Sequence, residues 1–450
     1  MLRDSANIQI SEAEWKSRKS LRKGGPEVEP LYDLEDVEGL MSHMIPCPYG
    51  RAVQVNDCVS VRFTDVGHLL GSAAIEVWLT EKDETRKICF SGDLGNLNQP
   101  ILRDPQQVKE IQYLVIESTY GDRLHSSQRV DYVPALARRI QETLDKGGNL
   151  VIPSFAVGRT QEMLYFIREI KERGLVTGHG DFPVYVDSPL AIEATTVFLQ
   201  CDTNFVDEEM QALIRSGVNP LVFPGLELSV SQEESRAINE DKTPKVIISA
   251  SGMCDAGRIR HHLKHNLWRS ESRILFVGYQ SEGTLGRILV DGADTVKLFN
   301  EEIQVNAAID VLPGVSGHGD KAGLIAWLKG FEQKPELVFV NHGDPDAAEA
   351  FTDCLNNELG YKAAAPYSGS CFNLLSGQWE RLAEPRPIKR TESRTRRVNR
   401  AFERLISAAE RLLRVCRTLE GRPNRVLEGY AKDIDKLSDK LETVSYTHLT

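Results

Sequence analysis

Five points in this sequence share one form: a short apolar run ends on a histidine or a carboxylate that lies beside a small residue. The five side chains are those of His68, Asp93, Glu117, His318 and His342. A strand fixes the direction of a side chain at its end, and a neighbouring glycine keeps that side chain clear of packing. The chain has only 10 histidines in 450 residues. The recurrence therefore favours a fold that brings distant strand ends to one place.

Each of these positions is weak evidence when taken alone. A single histidine beside glycine is usually a turn residue, and a single aspartate before Leu-Gly is usually a turn or a helix cap. Taken together, they have the chemistry of metal ligands and proton donors. The 8 cysteines are scattered without a C-x-x-C pair, which argues against both a disulfide framework and a thiolate zinc site. Histidine and carboxylate ligands suit zinc at a hydrolytic site.

Composition narrows the class of protein. Hydrophobic residues make up 41% and charged residues 26%, as in ordinary globular proteins, and the length predicts two or three structural units. The sequence has no apolar run of membrane-spanning length and no apolar signal core near Met1, so we expect a cytoplasmic protein without a membrane span. The net charge of -11 argues against nucleic-acid binding by the whole surface. This net charge is compatible with a local basic groove that binds nucleic acid. Candidates for such a groove are 258–265 and the arginine-rich stretch 381–417, although both stretches are equally compatible with solvated helix faces.

The order of apolar patterns predicts an inserted domain. Short alternating runs between Val59 and Ile116 are typical of strands joined by hairpins. Strands then alternate with helices, which predicts a parallel, doubly wound α/β sheet that binds ligands beyond the carboxyl ends of its strands. Strands return after about residue 295, and helical spacing follows. The predicted units are 1–130 and 296–378 for the two parts of one domain, 131–295 for the insert, and 379–450 for a helical extension.

The order of the motifs resembles one family. Gly67-His68, Gly92-Asp93, Glu117-Ser118-Thr119, Ser316-Gly317-His318 and Asn341-His342-Gly343 are similar to motifs of the metallo-β-lactamase-fold nucleases that carry a β-CASP insert. These nucleases include the endonuclease of messenger-RNA 3′-end processing and ribonuclease J. Three further stretches look like parts of that insert: 153–162, 251–258 and 276–287. The resemblance covers roughly residues 1–378.

The resemblance implies a fold, a cofactor and a substrate. The fold is an α/β one, a metallo-β-lactamase αββα sandwich with an inserted α/β β-CASP domain and a helical tail. Two zinc ions are implied, with His68 on one, Asp93 bridging both and His342 on the second. His318 is then the general acid and Glu117 orients it. The substrate is RNA, expected to be single-stranded, and four residues of the insert would hold its phosphates: Ser249, Ser251, Gly252 and Arg258.

The sequence departs from the family pattern in one respect. The family's H-x-H-x-D-H cluster supplies about four metal ligands upstream of the position of His68, and this sequence contains no such string. We therefore expect that the first strands and their ligand loop are missing from this chain. The remaining ligands do not complete two zinc sites, since each ion needs three or four. The predicted consequences are weak zinc binding, poor catalysis and an exposed sheet edge.

Three functions are compatible with these observations. The first is a ribonuclease, and the second is a catalytically inactive relative that binds RNA or a partner. The third is a small-molecule metallohydrolase of the lactamase or glyoxalase type, which has no need of an inserted domain of about 165 residues. Intact His318, Glu117 and His342 argue against a long-standing loss of activity. The helical extension fits a homodimer contact, but it equally fits packing on the body of the same chain.

Overall fold

The computed structural model describes residues 1–385 apart from 23, 126–130 and 313–315, and a few later positions, chiefly 427–436. The chain divides into two units, Met1–Ala383 and Glu384–Thr450. In the second unit, residues 427–436 are helical, whereas most of the predicted helical extension lies outside the described residues. No helix in the described ranges is both long enough and apolar enough to cross a membrane.

The described strands fall into four sheets. In chain order they are β1 (Ala52–Asn56), β2 (Val59–Asp65), β3 (Ala73–Glu81), β4 (Glu84–Phe90), β5 (Tyr113–Ile116), β6 (Leu150–Pro153), β7 (Val184–Val186), β8 (Leu226–Leu228), β9 (Val246–Ser249), β10 (Arg273–Phe276), β11 (Thr295–Leu298), β12 (Glu301–Gln304), β13 (Ala308–Val311), β14 (Leu337–Val340), β15 (Ala363–Ala364), β16 (Cys371–Asn373) and β17 (Gln378–Arg381).

The described helices lie between and around these strands. In chain order they are α1 (Leu2–Leu21), α2 (Leu34–His43), α3 (Tyr132–Asp145), α4 (Arg159–Glu172), α5 (Pro189–Gln200), α6 (Glu208–Arg215), α7 (Gln232–Glu240), α8 (Ile259–Asn266), α9 (Leu285–Val290), α10 (Lys321–Lys329) and α11 (Pro345–Asp353). A 3₁₀ turn at Thr203–Phe205 and a π-helical turn at Cys354–Glu358 complete the set.

The first sheet has seven strands in the order β1-β2-β3-β4-β5-β14-β15. Strands β1 to β4 pair antiparallel, as the hairpin pattern predicts. The β3–β4 hairpin turns at Lys82 and Asp83, both of which have positive φ and so match the twist of the strands. Strand β5 then pairs parallel with β4 and with β14, which belongs to the part of the chain after the insert. The sheet is therefore completed by residues from both sides of the insert.

Alternate residues of β14 face opposite sides of this sheet. Val338 and Val340 are buried in one core together with residues of α10 and α11. Phe339 faces the other side, where the β16–β17 hairpin contributes Phe372 and Trp379 at ring-centroid distances of 5.2 and 5.7 Å. Burial of each such side chain contributes about 1.5–3 kcal/mol. Packing on both faces holds the end of β14 in place, two residues before His342.

The second sheet has six parallel strands in the order β13-β10-β6-β9-β7-β8. It is the doubly wound sheet predicted for the insert, and its core is formed by helix and strand residues such as Ile140, Leu150, Met163 and Ile167. Strand β13 lies beyond the boundary predicted at residue 295, so the sheet of the insert continues to Val311. The sequence did not reveal this, because a four-residue apolar run shows that a strand forms but not which sheet it joins.

Candidate metal and catalytic centre

His68 follows β2 in a loop that fixes the orientation of its ring. Gly67 has a φ of +62°, and a Cβ at this position would lie 2.1 Å from the carbonyl oxygen of Arg103, so only glycine fits here. His68 Nδ1 lies 3.1 Å from the carbonyl oxygen of Gly317 and donates its proton to it. The second nitrogen, Nε2, is then left with a lone pair, which is the state that a metal ligand requires.

Asp93 lies at the centre of the group, three residues beyond the end of β4. Its Oδ2 is 3.7 Å from Nε2 of His68, and its Oδ1 is 3.2 Å from Nε2 of His342. The two oxygens of one carboxylate thus face two different imidazoles. A carboxylate that bridges two cations has the same arrangement.

His342 lies two residues beyond β14, where the loops that follow β5 and β14 meet. The N–H of Ser118 donates to the carbonyl oxygen of His342 over 3.0 Å. A Cβ at Gly343 would lie 2.6 Å from the backbone carbonyl oxygen of Ser118, so the close approach of the two loops requires glycine. The imidazole of His342 remains 60% exposed and is therefore open to a ligand.

His318 is held by the buried carboxylate of Glu117, which follows β5. Nδ1 of His318 lies 3.2 Å from Oε2 and 3.3 Å from Oε1 of Glu117. Glu117 is fixed in turn by the backbone N–H of Leu94, which donates to Oε1, and by its own N–H, which donates to Ser91 Oγ. Nε2 of His318 has no hydrogen-bond partner among the residues that the structure describes. This nitrogen is free to act on a substrate.

The pKa values of the two neighbouring histidines shift in opposite directions. Burial and the nearby His318 lower the pKa of His68, so that its neutral form is favoured. Burial also lowers the pKa of His318, but the hydrogen bond and the negative charge of Glu117 outweigh burial and raise that pKa overall. The pair therefore combines one imidazole suited to bind a cation with one suited to carry a proton.

The donor atoms fit a metal ion. One ligand atom each from His68, Asp93 and His318 lies within 4.8 Å of the others, and His342 adds a further imidazole beside Asp93. Imidazole nitrogen and carboxylate oxygen are ligands that zinc takes in hydrolytic sites. His68 and Asp93 can bind one ion, and His342 faces the other oxygen of Asp93, while His318 stays available for proton transfer. Two ions would each receive fewer protein ligands than a tight site needs.

A cavity of about 790 Å³ opens over this group. His68, His318 and His342 line it from the first domain, and residues of the insert line it as well: Phe155, Arg159, Glu162, Ser251 and Tyr279. The sequence patterns predicted no role for Phe155, Arg159 or Tyr279. The first two follow β6 and the third follows β10, so the rule that ligands bind beyond the carboxyl ends of parallel strands could have identified all three.

The four residues expected to hold phosphates lie in different environments. Ser251 lines the cavity, and the carbonyl oxygen of neighbouring Gly252 accepts a hydrogen bond from the Gln280 side chain. Ser249 is buried, and its Oγ donates to the carbonyl oxygen of Asp187. Arg258 donates from Nη1 to Asp187 Oδ1 over 2.7 Å and also binds two backbone carbonyls. In this structure Ser249 and Arg258 bind other parts of the insert, and their expected contact with phosphate stays a prediction.

Comparison with known proteins agrees with this geometry. The Beta-Casp domain family matches residues 160–289, and the family described as "Zn-dependent metallo-hydrolase RNA specificity domain" matches residues 302–366. Ribonuclease TTHA0252 of Thermus thermophilus is 36% identical over 320 residues, which are 71% of this chain and 70% of that protein.

Two proteins of one further organism are also similar. The RNase J-like protein of Methanocaldococcus jannaschii is 30% identical over 358 residues, which are 79% of each chain. The transcription termination factor FttA of the same organism is 30% identical over 341 residues, which are 74% of this chain and 52% of that factor. The fold, the cavity between sheet and insert, and these matches show that the chain belongs to the β-CASP family of metallo-β-lactamase-fold ribonucleases.

Proposed function

We propose that this chain is a zinc-dependent ribonuclease that hydrolyses phosphodiester bonds in single-stranded RNA. The observation that carries the proposal is the position of Asp93, whose two oxygens face His68 and His342, beside a histidine that Glu117 holds. The names of the relatives, a ribonuclease and an RNase J-like protein, support RNA as the substrate.

The residues divide the reaction between them. His68, Asp93 and His342 would hold zinc, which lowers the pKa of a bound water to about 7 and stabilises charge on the phosphate. His318 donates a proton from Nε2 to the oxygen that leaves the phosphorus. Glu117 accepts the hydrogen bond from Nδ1 of His318, and this contact keeps Nε2 directed into the cavity and favours the protonated ring.

The number of donors limits the expected activity. The 450 residues contain no H-x-H-x-D-H string, so His68, Asp93 and His342 are the ligands on which the proposal rests. We expect fewer than two tightly held zinc ions per chain and slow cleavage. The second candidate function is a catalytically inactive relative that binds RNA or a partner protein. Self-association through the helical extension stays a prediction.

Zinc content and RNA cleavage test the proposal together. The chain is dialysed, its zinc is counted by mass spectrometry, and cleavage of a labelled single-stranded RNA is followed with and without added zinc. We expect cleavage that depends on zinc and is abolished in Asp93→Asn. The control is Asp145→Asn, because Asp145 is an exposed carboxylate that also contacts a histidine, His179, at 2.8 Å. A tight content of two zinc ions would refute the expected weak binding, and RNA binding without cleavage at saturating zinc would favour the second candidate.

A further inference from the structure

Phe155 is a half-exposed aromatic residue inside the cavity. It lies two residues beyond β6, and 45% of its surface is exposed although its neighbours on the strand are fully buried. One edge of its ring lies against Gly252, where a Cβ would be 3.1 Å from Cδ2 and 3.2 Å from Cε2 of the ring. The glycine therefore leaves room for the ring. An aromatic face held at the wall of a cavity is suited to stack on a planar ligand.

Arg159 supplies a cation to the same wall. It begins α4 and lines the cavity, yet it is only 9% exposed. Its Nη1 donates to Glu162, and its side chain makes no other hydrogen bond among the residues that the structure describes. The remaining N–H groups of the guanidinium are available. A fixed guanidinium with free donors is the group that binds phosphate best, because it can donate two parallel hydrogen bonds.

Ser251 adds a hydroxyl group without a partner. Its Oγ is buried and has no hydrogen-bond partner among the described residues, although Ser251 lines the cavity. A buried hydroxyl without a hydrogen bond costs about 1–3 kcal/mol, so it gains when a ligand oxygen arrives. Gly252, the next residue, is the one that contacts the ring of Phe155. Ser251 and Phe155 therefore line the same cavity on two loops that are in contact through Gly252.

We propose that Phe155, Arg159 and Ser251 form a subsite for one unpaired nucleotide next to the bond that is cleaved. The base stacks on Phe155, and the phosphate of this nucleotide accepts hydrogen bonds from Arg159 and Ser251. The inference rests on the proposed function, which it sharpens. Bases within a duplex are stacked on each other and cannot reach an aromatic side chain in a cavity, so the subsite selects single-stranded RNA.

The stacking contact is tested by binding in the absence of zinc. Fluorescence anisotropy of a labelled short single-stranded RNA is measured in chelator. Loss of a stacked base costs about 1–3 kcal/mol, so Phe155→Leu should bind about 5- to 150-fold more weakly. Phe299→Leu is the control, because Phe299 has a similar exposed fraction of 42% and lies outside the cavity lining. The measurement is repeated with a series of RNAs, each of which lacks the base at one position. For one RNA of the series, the one without the base that stacks on Phe155, Phe155→Leu and the unmodified protein should bind with equal affinity.

The phosphate contact is tested by the salt dependence of the same binding. Removal of one phosphate contact should lower the slope of log affinity against log salt by about 1. We expect this for Arg159→Gln, and Arg159→Lys should keep most of the slope. Arg168→Gln is the control, since Arg168 is also buried on α4 and paired with a glutamate. The double variant Arg159→Gln/Glu162→Gln should show the same loss of slope without leaving a buried carboxylate unpaired.

The outcomes separate this inference from the ribonuclease proposal. Any one of three results would overturn the subsite. The first is an unchanged affinity in Phe155→Leu, and the second is an equal loss of affinity for all RNAs that lack a base. The third is an unchanged salt slope in both Arg159→Gln and Arg159→Gln/Glu162→Gln. If the chain cleaves RNA and any of these results is obtained, the subsite proposal fails and the ribonuclease proposal stands. A chain whose binding depends on Phe155 and Arg159 but which never cleaves would support the subsite and overturn the ribonuclease proposal.

Discussion

Two histidine–carboxylate pairs in this molecule have the same chemistry and opposite surroundings. His318 and Glu117 lie at the cavity, where only Nδ1 of the histidine is bound and its side chain is 23% exposed. His262 and Asp187 lie within the insert with no exposed side-chain surface, and Nε2 of the histidine is 2.7 Å from Asp187 Oδ2.

The difference lies in the second nitrogen of each ring. Nδ1 of His262 is 2.9 Å from the side-chain oxygen of Asn239, so both nitrogens are occupied. Asp187 is also saturated, because Ser235 and Arg258 donate to it. In the pair at the cavity, Nε2 of His318 has no partner in the described part of the chain. A histidine–carboxylate pair with every donor and acceptor satisfied stabilises the fold, whereas one with a free nitrogen at a cavity can transfer a proton.

The largest effect is expected from His318→Gln. Glutamine can still donate a hydrogen bond to Glu117, but it cannot deliver a proton, so zinc-dependent cleavage should fall about 10²- to 10⁴-fold with little change in stability. His179→Gln is the control, because His179 contacts the carboxylate of Asp145 away from the cavity lining. Cleavage by His318→Gln at the unmodified rate would remove the proton-donor role.

Asp187→Asn should lower the free energy of unfolding. The substitution removes the charge that Arg258 and His262 share in a buried network, and breaking such a pair costs about 3–5 kcal/mol. Urea unfolding measures this change, with Asp145→Asn as an exposed control whose midpoint should stay the same. If Asp187→Asn were as stable as the unmodified protein, the buried pair would not have the structural role assigned to it.

The smallest expected effect is the loss of stability at acidic pH. Burial raises the pKa of Asp187, but the hydrogen bonds from His262 and Ser235 and the charge of His262 outweigh it and lower the pKa to about 2. Because the folded pKa lies below the ordinary value of 3.8, this contribution is complete above about pH 4 and is lost as the pH falls towards 2. Its size is about 2 kcal/mol. Unfolding measured across this range should show the loss, and Asp187→Asn should show a correspondingly weaker pH dependence.

The residues of the centre could be predicted because their signal is local. His68, Asp93, Glu117 and His342 lie one to three residues beyond a strand, whereas His318 lies seven residues beyond β13. The structure brings all five together, as the sequence predicts. Their roles in catalysis stay a prediction. The alternation of strands and helices likewise predicted the parallel sheet of the insert.

The positions of Ser249 and Arg258 could not be predicted, because they depend on partners far away in the chain. Arg258 pairs with Asp187, 71 positions earlier, and no local pattern shows which arginine will meet a buried carboxylate. The position of Phe155 beyond β6 could have been predicted from the strand pattern. The contact of its ring with Gly252 could not, because it depends on the packing of two loops.

The pairing of β5 with β14 has a consequence for how the protein is made. Ser118 and Asn341, just beyond these strands, are hydrogen-bonded although they are 223 positions apart. A ribosome must therefore translate the whole insert before Glu117 can meet His318 and His342. Until then the nascent chain carries an unpaired strand edge at β5, where wrong pairing and aggregation begin. If the insert folds early into its own compact core, β5 and β14 are brought nearer to each other and the chain loop between them is easier to close.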